Sequence, residues 1–217
     1  MNLKNPSYLL FFLLFCTFLI LSAIVIWNDT IAFDTVVFEW LSFFDWPFVW
    51  TFMESITEFG AASVLTILTI LLVIILLFTK KFKWALLLSL TMITGSILNR
   101  ILKITIVRER PDILLQYDGF GYSYPSNHSM MSLLLYGFII LLFLRFFKPS
   151  HWRLIGILLL SILIIVIGLS RIYLGVHYST DVVAGFILGL LLLIIVSEVD
   201  KKWNGRMVSC QNSNTKS

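Results

Sequence analysis

Apolar residues in this chain run together instead of recurring at the helical or strand period. Six runs are long enough to cross a bilayer, which takes ~20 apolar residues per helix: 8–27, 61–78, 84–104, 127–147, 153–172 and 181–199. The pattern predicts an all-α membrane protein, a bundle of six transmembrane helices. Short connections make helices two and three, four and five, and five and six antiparallel neighbours. Two connections are longer. Segment 28–60 is rich in aromatics, among them Phe33, Trp40, Phe43, Trp46 and Phe48. Aromatics favour the headgroup level, so part of this segment is expected to lie in the interface as a short helix after the first span. Segment 105–126 carries Pro111, Gly119, Gly121 and Pro125, turn signals that predict an ordered loop. The polar tail 200–217 is expected to be flexible and cytoplasmic. There is no internal repeat, and 1–217 reads as a single membrane domain.

Composition agrees with this picture. The chain is 59% hydrophobic, with a mean hydropathy of +0.96, against about 45–50% apolar residues in soluble domains. A net charge of +4 raises nucleic acid as a partner, but the basic residues form no continuous face, and none is expected. Run 8–27 is long for a signal peptide and no A-x-A-like site follows it, so it is read as a retained helix. Cys16 lies in an apolar run and Cys210 in the tail; they are not expected to pair or to form a thiolate metal site.

Charge sets the orientation. With the N-terminus in the cytoplasm, eleven of the sixteen basic residues fall on the cytoplasmic side, and segment 28–60 has no Lys or Arg. The positive-inside rule thus predicts a multi-pass cell-membrane protein with both termini cytoplasmic. Arg100, Lys103, Arg108, Arg110 and Arg171 remain outside. Ionisable groups at a membrane are costly and are functional candidates by default. They gather where helix three ends, where helix four begins, and across the turn from helix five to helix six. In a six-helix plan all three places share one end of the bundle, predicted to be extracytoplasmic.

Lys103, Arg110 and Arg171 are cations with no matching carboxylates in their motifs. Cations crowded together call for an anion, and a guanidinium fork and a lysine point charge both suit phosphate oxygens. Ser126 and Asn127 start a helix, where free N–H groups and the dipole also favour an anion. His177 and Asp181 are four residues apart, on one helical face. A carboxylate on Nδ1 would fix the imidazole tautomer and leave Nε2 free as a nucleophile. His128 could then act as general acid.

These residues resemble the type 2 phosphatidic acid phosphatase superfamily. Its signature, K-x6-R-P, P-S-G-H and S-R-x5-H-x3-D, is matched by Lys103-x6-Arg110-Pro111, Pro125-Ser126-Asn127-His128 and Ser170-Arg171-x5-His177-x3-Asp181. Order and spacing agree over 103–181. The resemblance implies a phosphatase that needs no metal or other cofactor. It further implies His177 as nucleophile, Asp181 as its support and His128 as proton donor, with Lys103, Arg110, Ser126, Asn127 and Arg171 holding phosphate. Asn127 departs from the family's usual Gly; Asn tolerates positive φ better than most residues, so activity is expected to survive.

Blander readings remain at single residues. Lys103 and Arg110 could be snorkelling anchors, and His177 with Asp181 could be two ligands of a metal, though three neighbouring cations disfavour one. Arg100 and Arg108 are read as accessory or structural; Glu54 and Glu58 could line an entrance or mark the interface. A transporter of phosphorylated lipid is the alternative from another class, but such proteins usually show repeats and midplane sites. An inert scaffold is disfavoured by the complete residue set. Vanadate-dependent haloperoxidases share the fold family but are soluble. The expected partners are the bilayer and a lipid phosphate, with no obligate protein partner. Undecaprenyl pyrophosphate is the first substrate expected, ahead of phosphatidylglycerol phosphate and phosphatidic acid.

Overall fold

The structure, a computed structural model, describes residues 6–28, 31–44, 46–111 and 121–214, with side chains described as far as residue 203. Among the described residues eight α-helices follow one another: α1 (Pro6–Trp27), α2 (Ala32–Ser42), α3 (Pro47–Thr57), α4 (Ala62–Phe78), α5 (Phe82–Ile106), α6 (Asn127–Phe146), α7 (His151–Tyr173) and α8 (Ser179–Asn214). A single 3-10 turn, Glu58–Gly60, joins α3 to α4.

Five helices are long and apolar enough to span a membrane by themselves: α1, α5, α6, α7 and the first part of α8. The sixth expected span, α4, has 17 residues and is joined at a 46° bend to α3. Where the sequence predicts one short interfacial helix, the described residues hold two. Pro47 starts the second, at a position where its missing N–H costs nothing. Trp40, Phe43, Trp46 and Phe48 stand exposed on this pair, as headgroup-level aromatics do. The final helix also differs from expectation: α8 runs to Asn214, past the predicted end at residue 199. No helix breaker stands at 199–203, and Asp200 is held by Lys83 at 2.5 Å, with Arg145 at 3.6 Å. The remaining tail, 215–217, lies outside the described residues, as does the side chain of Cys210.

α6 and α8 form the centre, each with 56% of its apolar window buried against 17% for the peripheral α1. Glycines let the two approach. A Cβ on Gly185 would lie 2.7 Å from the Ser126 carbonyl, and one on Gly189 2.8 Å from Leu133 Cδ2. Between membrane helices, where lipid is as apolar as leucine, close backbone packing drives association. Leu88, Leu134, Leu135, Phe138 and Ile167 fill the main core. A second cluster, built on Leu41, Tyr173, Leu174 and Val182 with Val37, Phe38 and Trp50, seats α2 and α3 on the ends of α7 and α8. That seat positions the residues described next.

Candidate active site

Each motif sits where a helix stops or starts. α5 ends at Val107, whose left-handed conformation (φ 55°, ψ 36°) turns the chain sharply. Lys103, on the last turn, donates to the carbonyls of Tyr122 and Ser123. Residues 108–111 and 121–126 are extended or turned, in keeping with the predicted loop; residues 112–120 between them lie outside the described part. Ser126 caps α6, its Oγ accepting from the Ser129 N–H at 3.5 Å and the Ser129 hydroxyl at 3.0 Å. Its own N–H donates to the Asp181 carbonyl at 3.0 Å, pinning the start of α6 to α8. Tyr124, fully buried, is bonded to Ser22 of α1 at 2.9 Å. Burial pushes its phenol up to about 12, so it stays protonated.

His177 lies in the turn between α7 and α8, buried. Its Nδ1 is 3.1 Å from Asp181 Oδ2, which also accepts from the Tyr178 N–H at 3.0 Å. With Nδ1–H donating to the carboxylate, Nε2 carries the lone pair, and Arg110 Nη1 lies 3.3 Å from it. Burial, and then the charges of Arg110, Arg171 and Lys103, hold the imidazole well below its ordinary value. It is therefore neutral, the form in which Nε2 is nucleophilic. Burial also draws the Arg110 guanidinium down from its ordinary value, opposed by Asp181; an arginine remains a cation even so. Arg110 is fixed by the carbonyls of Gly121 at 2.9 Å and Val176 at 2.8 Å.

Arg171, on the last turn of α7, donates Nη1 to Thr57 Oγ1 at 2.8 Å, while its buried Nε has no partner among the described residues. A buried donor left unsatisfied costs about 1–3 kcal/mol, and an oxyanion at this position would satisfy it. Neither Lys103 nor Arg171 pairs with a carboxylate among the described residues. His128 sits half-buried in the first turn of α6, close against Gly60, where a Cβ would come within 3.0 Å of its ring. Asn127 begins α6 in helical conformation and needs no positive φ, so glycine's conformational freedom is not required there.

All eight residues singled out from the sequence are thus at one end of the bundle. Sequence reasoning alone does not reach Asp34, Thr57 or Thr180, and it gives Arg108 no more than an accessory part. Arg108 is in fact 1% exposed and bridges two carboxylates, Asp34 at 2.8 Å and Asp181 at 2.6 Å. The available signal is Asp34 itself, an acid seven residues before Leu41 on the buried face of α2. A carboxylate on the apolar side of an interfacial helix needs a cation. Glu58 lies close enough to Arg171 to act on its charge; among the described residues, Glu54 and Arg100 have no contact that ties them to the site.

This arrangement, at the end of an all-helical membrane bundle, defines a membrane phosphatase, and comparison with known proteins agrees. The profile of the PAP2 superfamily matches residues 84–204, and the chain belongs to that family. It is 34% identical over 191 residues to phosphatidylglycerophosphatase B of Bacillus subtilis (strain 168), covering 87% of this chain and 94% of that one. It is 25% identical over 204 residues to an undecaprenyl-diphosphatase of Sulfolobus acidocaldarius, covering 91% and 93%. The crystal structure of a transmembrane PAP2-type phosphatidylglycerolphosphate phosphatase from Bacillus subtilis superposes with a TM-score of 0.79 at 33% identity, over 87% of this chain and 94% of that chain.

Proposed function

We propose that this protein removes phosphate from a lipid headgroup through a phosphohistidine on His177, without a metal. The observation that carries the reading is the buried His177 held between Asp181 and Arg110, beside the orphaned Nε of Arg171. Nε2 attacks phosphorus, a P–N bond forms and the P–O bond to the lipid breaks. The leaving oxygen takes a proton from His128. A water then gives a proton to His128 and attacks phosphorus, the P–N bond breaks, and inorganic phosphate leaves. Lys103, Arg110 and Arg171 offset the charge that spreads over the phosphoryl oxygens. Ser126 and Asn127 offer the amide end of α6. Asp181 stabilises the imidazolium of the intermediate.

Phosphatidylglycerol phosphate is proposed as substrate ahead of undecaprenyl pyrophosphate, the reverse of the order expected from sequence. The relative named for the former is the more similar one over comparable lengths. A cavity of about 410 Å³ between α4, α5 and α6 also suits a lipid tail. It reaches from Asn127 to Val73, and Ile70, Ile74 and Ile93 on its walls face outward, so it opens toward lipid. The site is proposed to face the outer side of the cell membrane with both termini cytoplasmic. Lys81, Lys83, Arg145 and Lys201 supporting that orientation cluster at the other end of the bundle.

The test is phosphate release, in detergent with EDTA, from phosphatidylglycerol phosphate, undecaprenyl pyrophosphate and phosphatidic acid, beside His177→Ala. Release that survives EDTA and is abolished in the variant is expected, fastest with the first lipid. Release by folded His177→Ala at the wild-type rate would remove the phosphohistidine step. No release from any of the three would move binding or transport of phosphorylated lipid to the front.

A further inference from the structure

Asp34 stands 74 residues before Arg108 and 146 before Thr180, yet all three meet in one buried network. Arg108 Nη2 donates to Asp34 Oδ2 at 2.8 Å; Nη1 donates to Asp181 Oδ1 at 2.6 Å and to Thr180 Oγ1 at 2.7 Å. The Thr180 hydroxyl donates to Asp34 Oδ2 at 2.9 Å, and the Thr180 N–H donates to Asp34 Oδ1 at 2.8 Å. The ring of Tyr178 lies 3.9 Å from the Arg108 guanidinium carbon. Side-chain exposure is 1% for Asp34 and Arg108 and 0% for Asp181.

Count the charges facing Asp181. A buried arginine paired with one carboxylate cancels it, and a cancelled Asp181 has little left with which to stabilise a cationic imidazole. A second carboxylate changes the balance: Asp34 occupies the other half of the fork and offsets the arginine. Asp181 then presents its negative charge to His177 through Oδ2, while Oδ1 is gripped by Arg108. The backbone bond from Thr180 to Asp34 also fixes the residue next to Asp181 at the start of α8.

We infer that Asp34 is a positioning residue for this reaction, acting through Arg108 to hold the Asp181 carboxylate turned toward His177 with its charge intact. The inference rests on the proposed phosphohistidine reading. It links the interfacial helix α2, which carries no motif residue, to the nucleophile.

The test compares wild type, Asp34→Asn, Arg108→Gln, the double variant and His177→Ala on the lipid that wild type hydrolyses. Folded fraction is taken from thermal unfolding in detergent and kcat is expressed per folded protein. Asp34→Asn keeps an acceptor for the Thr180 N–H but removes the charge. Its kcat is expected to fall about tenfold or more, equal to about 1.4 kcal/mol of barrier, with KM within about twofold. The double variant should lose less than the two single losses combined, since removing both charges leaves Asp181 uncancelled. Wild-type kcat per folded Asp34→Asn, or losses that simply add, would reduce Asp34 to an anchor for α2 and overturn the inference. Should Asp34→Asn fail to fold, Arg108→Lys keeps the cation without the fork; a wild-type kcat there would overturn it equally. Activity that survives in His177→Ala would sink the phosphohistidine reading and this inference together, whereas a dead His177→Ala beside an unimpaired Asp34→Asn would sink only the inference.

Discussion

His177 is set by opposing charges. Around it stand Lys103 of α5, Arg108 and Arg110 of the loop after it, His128 of α6, Arg171 of α7 and Asp181 of α8, with Asp34 of α2 behind Arg108. Burial and the cations disfavour its protonated form, so its folded-state value lies below the ordinary ~6.5. The neutral form therefore persists as pH falls through 6.5 and is lost only at lower pH. With three histidines in the chain, labelled imidazoles can be followed by NMR in detergent. The His177 midpoint should lie below 6.5 in the empty protein and rise when vanadate or phosphate neutralises the cations. A midpoint at or above 6.5 without anion would mean that Asp181 outweighs them. The pairing of His177 with Asp181 was legible because the two stand four residues apart, and Arg110 stood out by its spacing from Lys103. The part of Arg108 was not, because its partner Asp34 lies 74 residues away with α3, α4 and α5 between them, and spacing says nothing of a pair that only folding brings together.

At the scale of elements, the start of α6 is placed by its contact with α8. A Cβ on Gly185 would meet backbone, the Ser126 carbonyl at 2.7 Å and the Met130 nitrogen at 3.2 Å; one on Gly189 would meet only the Leu133 side chain. Backbone cannot yield as a side-chain terminus can. Gly185→Ala should therefore lower kcat/KM by about 10- to 100-fold, the scale of a misplacement near 1 Å, while Gly189→Ala costs activity far less. Equal activity in the two variants would show that the α6 start is not held by this contact. The long apolar helices were legible because a run of that length has no other stable use. The bend at Gly60 and the extension of α8 were not. The first depends on α3 packing against α7, and the second on Asp200 meeting Lys83, 117 residues away.

At the scale of the whole molecule, the candidate site residues share one end of the bundle, and the cavity between α4, α5 and α6 runs along the flank toward it. If that cavity takes the lipid tail, filling it should penalise lipids and spare small substrates. Ser96→Trp, on its wall, should reduce kcat/KM for a long-chain lipid phosphate about tenfold, the effect of about 1.4 kcal/mol of lost apolar contact. Hydrolysis of p-nitrophenyl phosphate should stay within about twofold. A matched loss on both substrates would place the tail elsewhere.

Four buried or half-buried cations, Lys103, Arg108, Arg110 and Arg171, surround the site, against two buried carboxylates, Asp34 and Asp181. With His177 neutral and His128 protonated as the proposed mechanism requires, the empty pocket is net positive, and a phosphate monoester dianion offsets that charge. Orthophosphate left behind after turnover cancels it nearly as well, and has no tail drawing it back into the lipid. On the proposed reading the pocket is thus an ion exchanger as much as a catalyst. Clearing the product means re-exposing uncompensated charge in a poorly hydrated place, so resetting the site, and not cleaving the ester, becomes the natural place for turnover to slow.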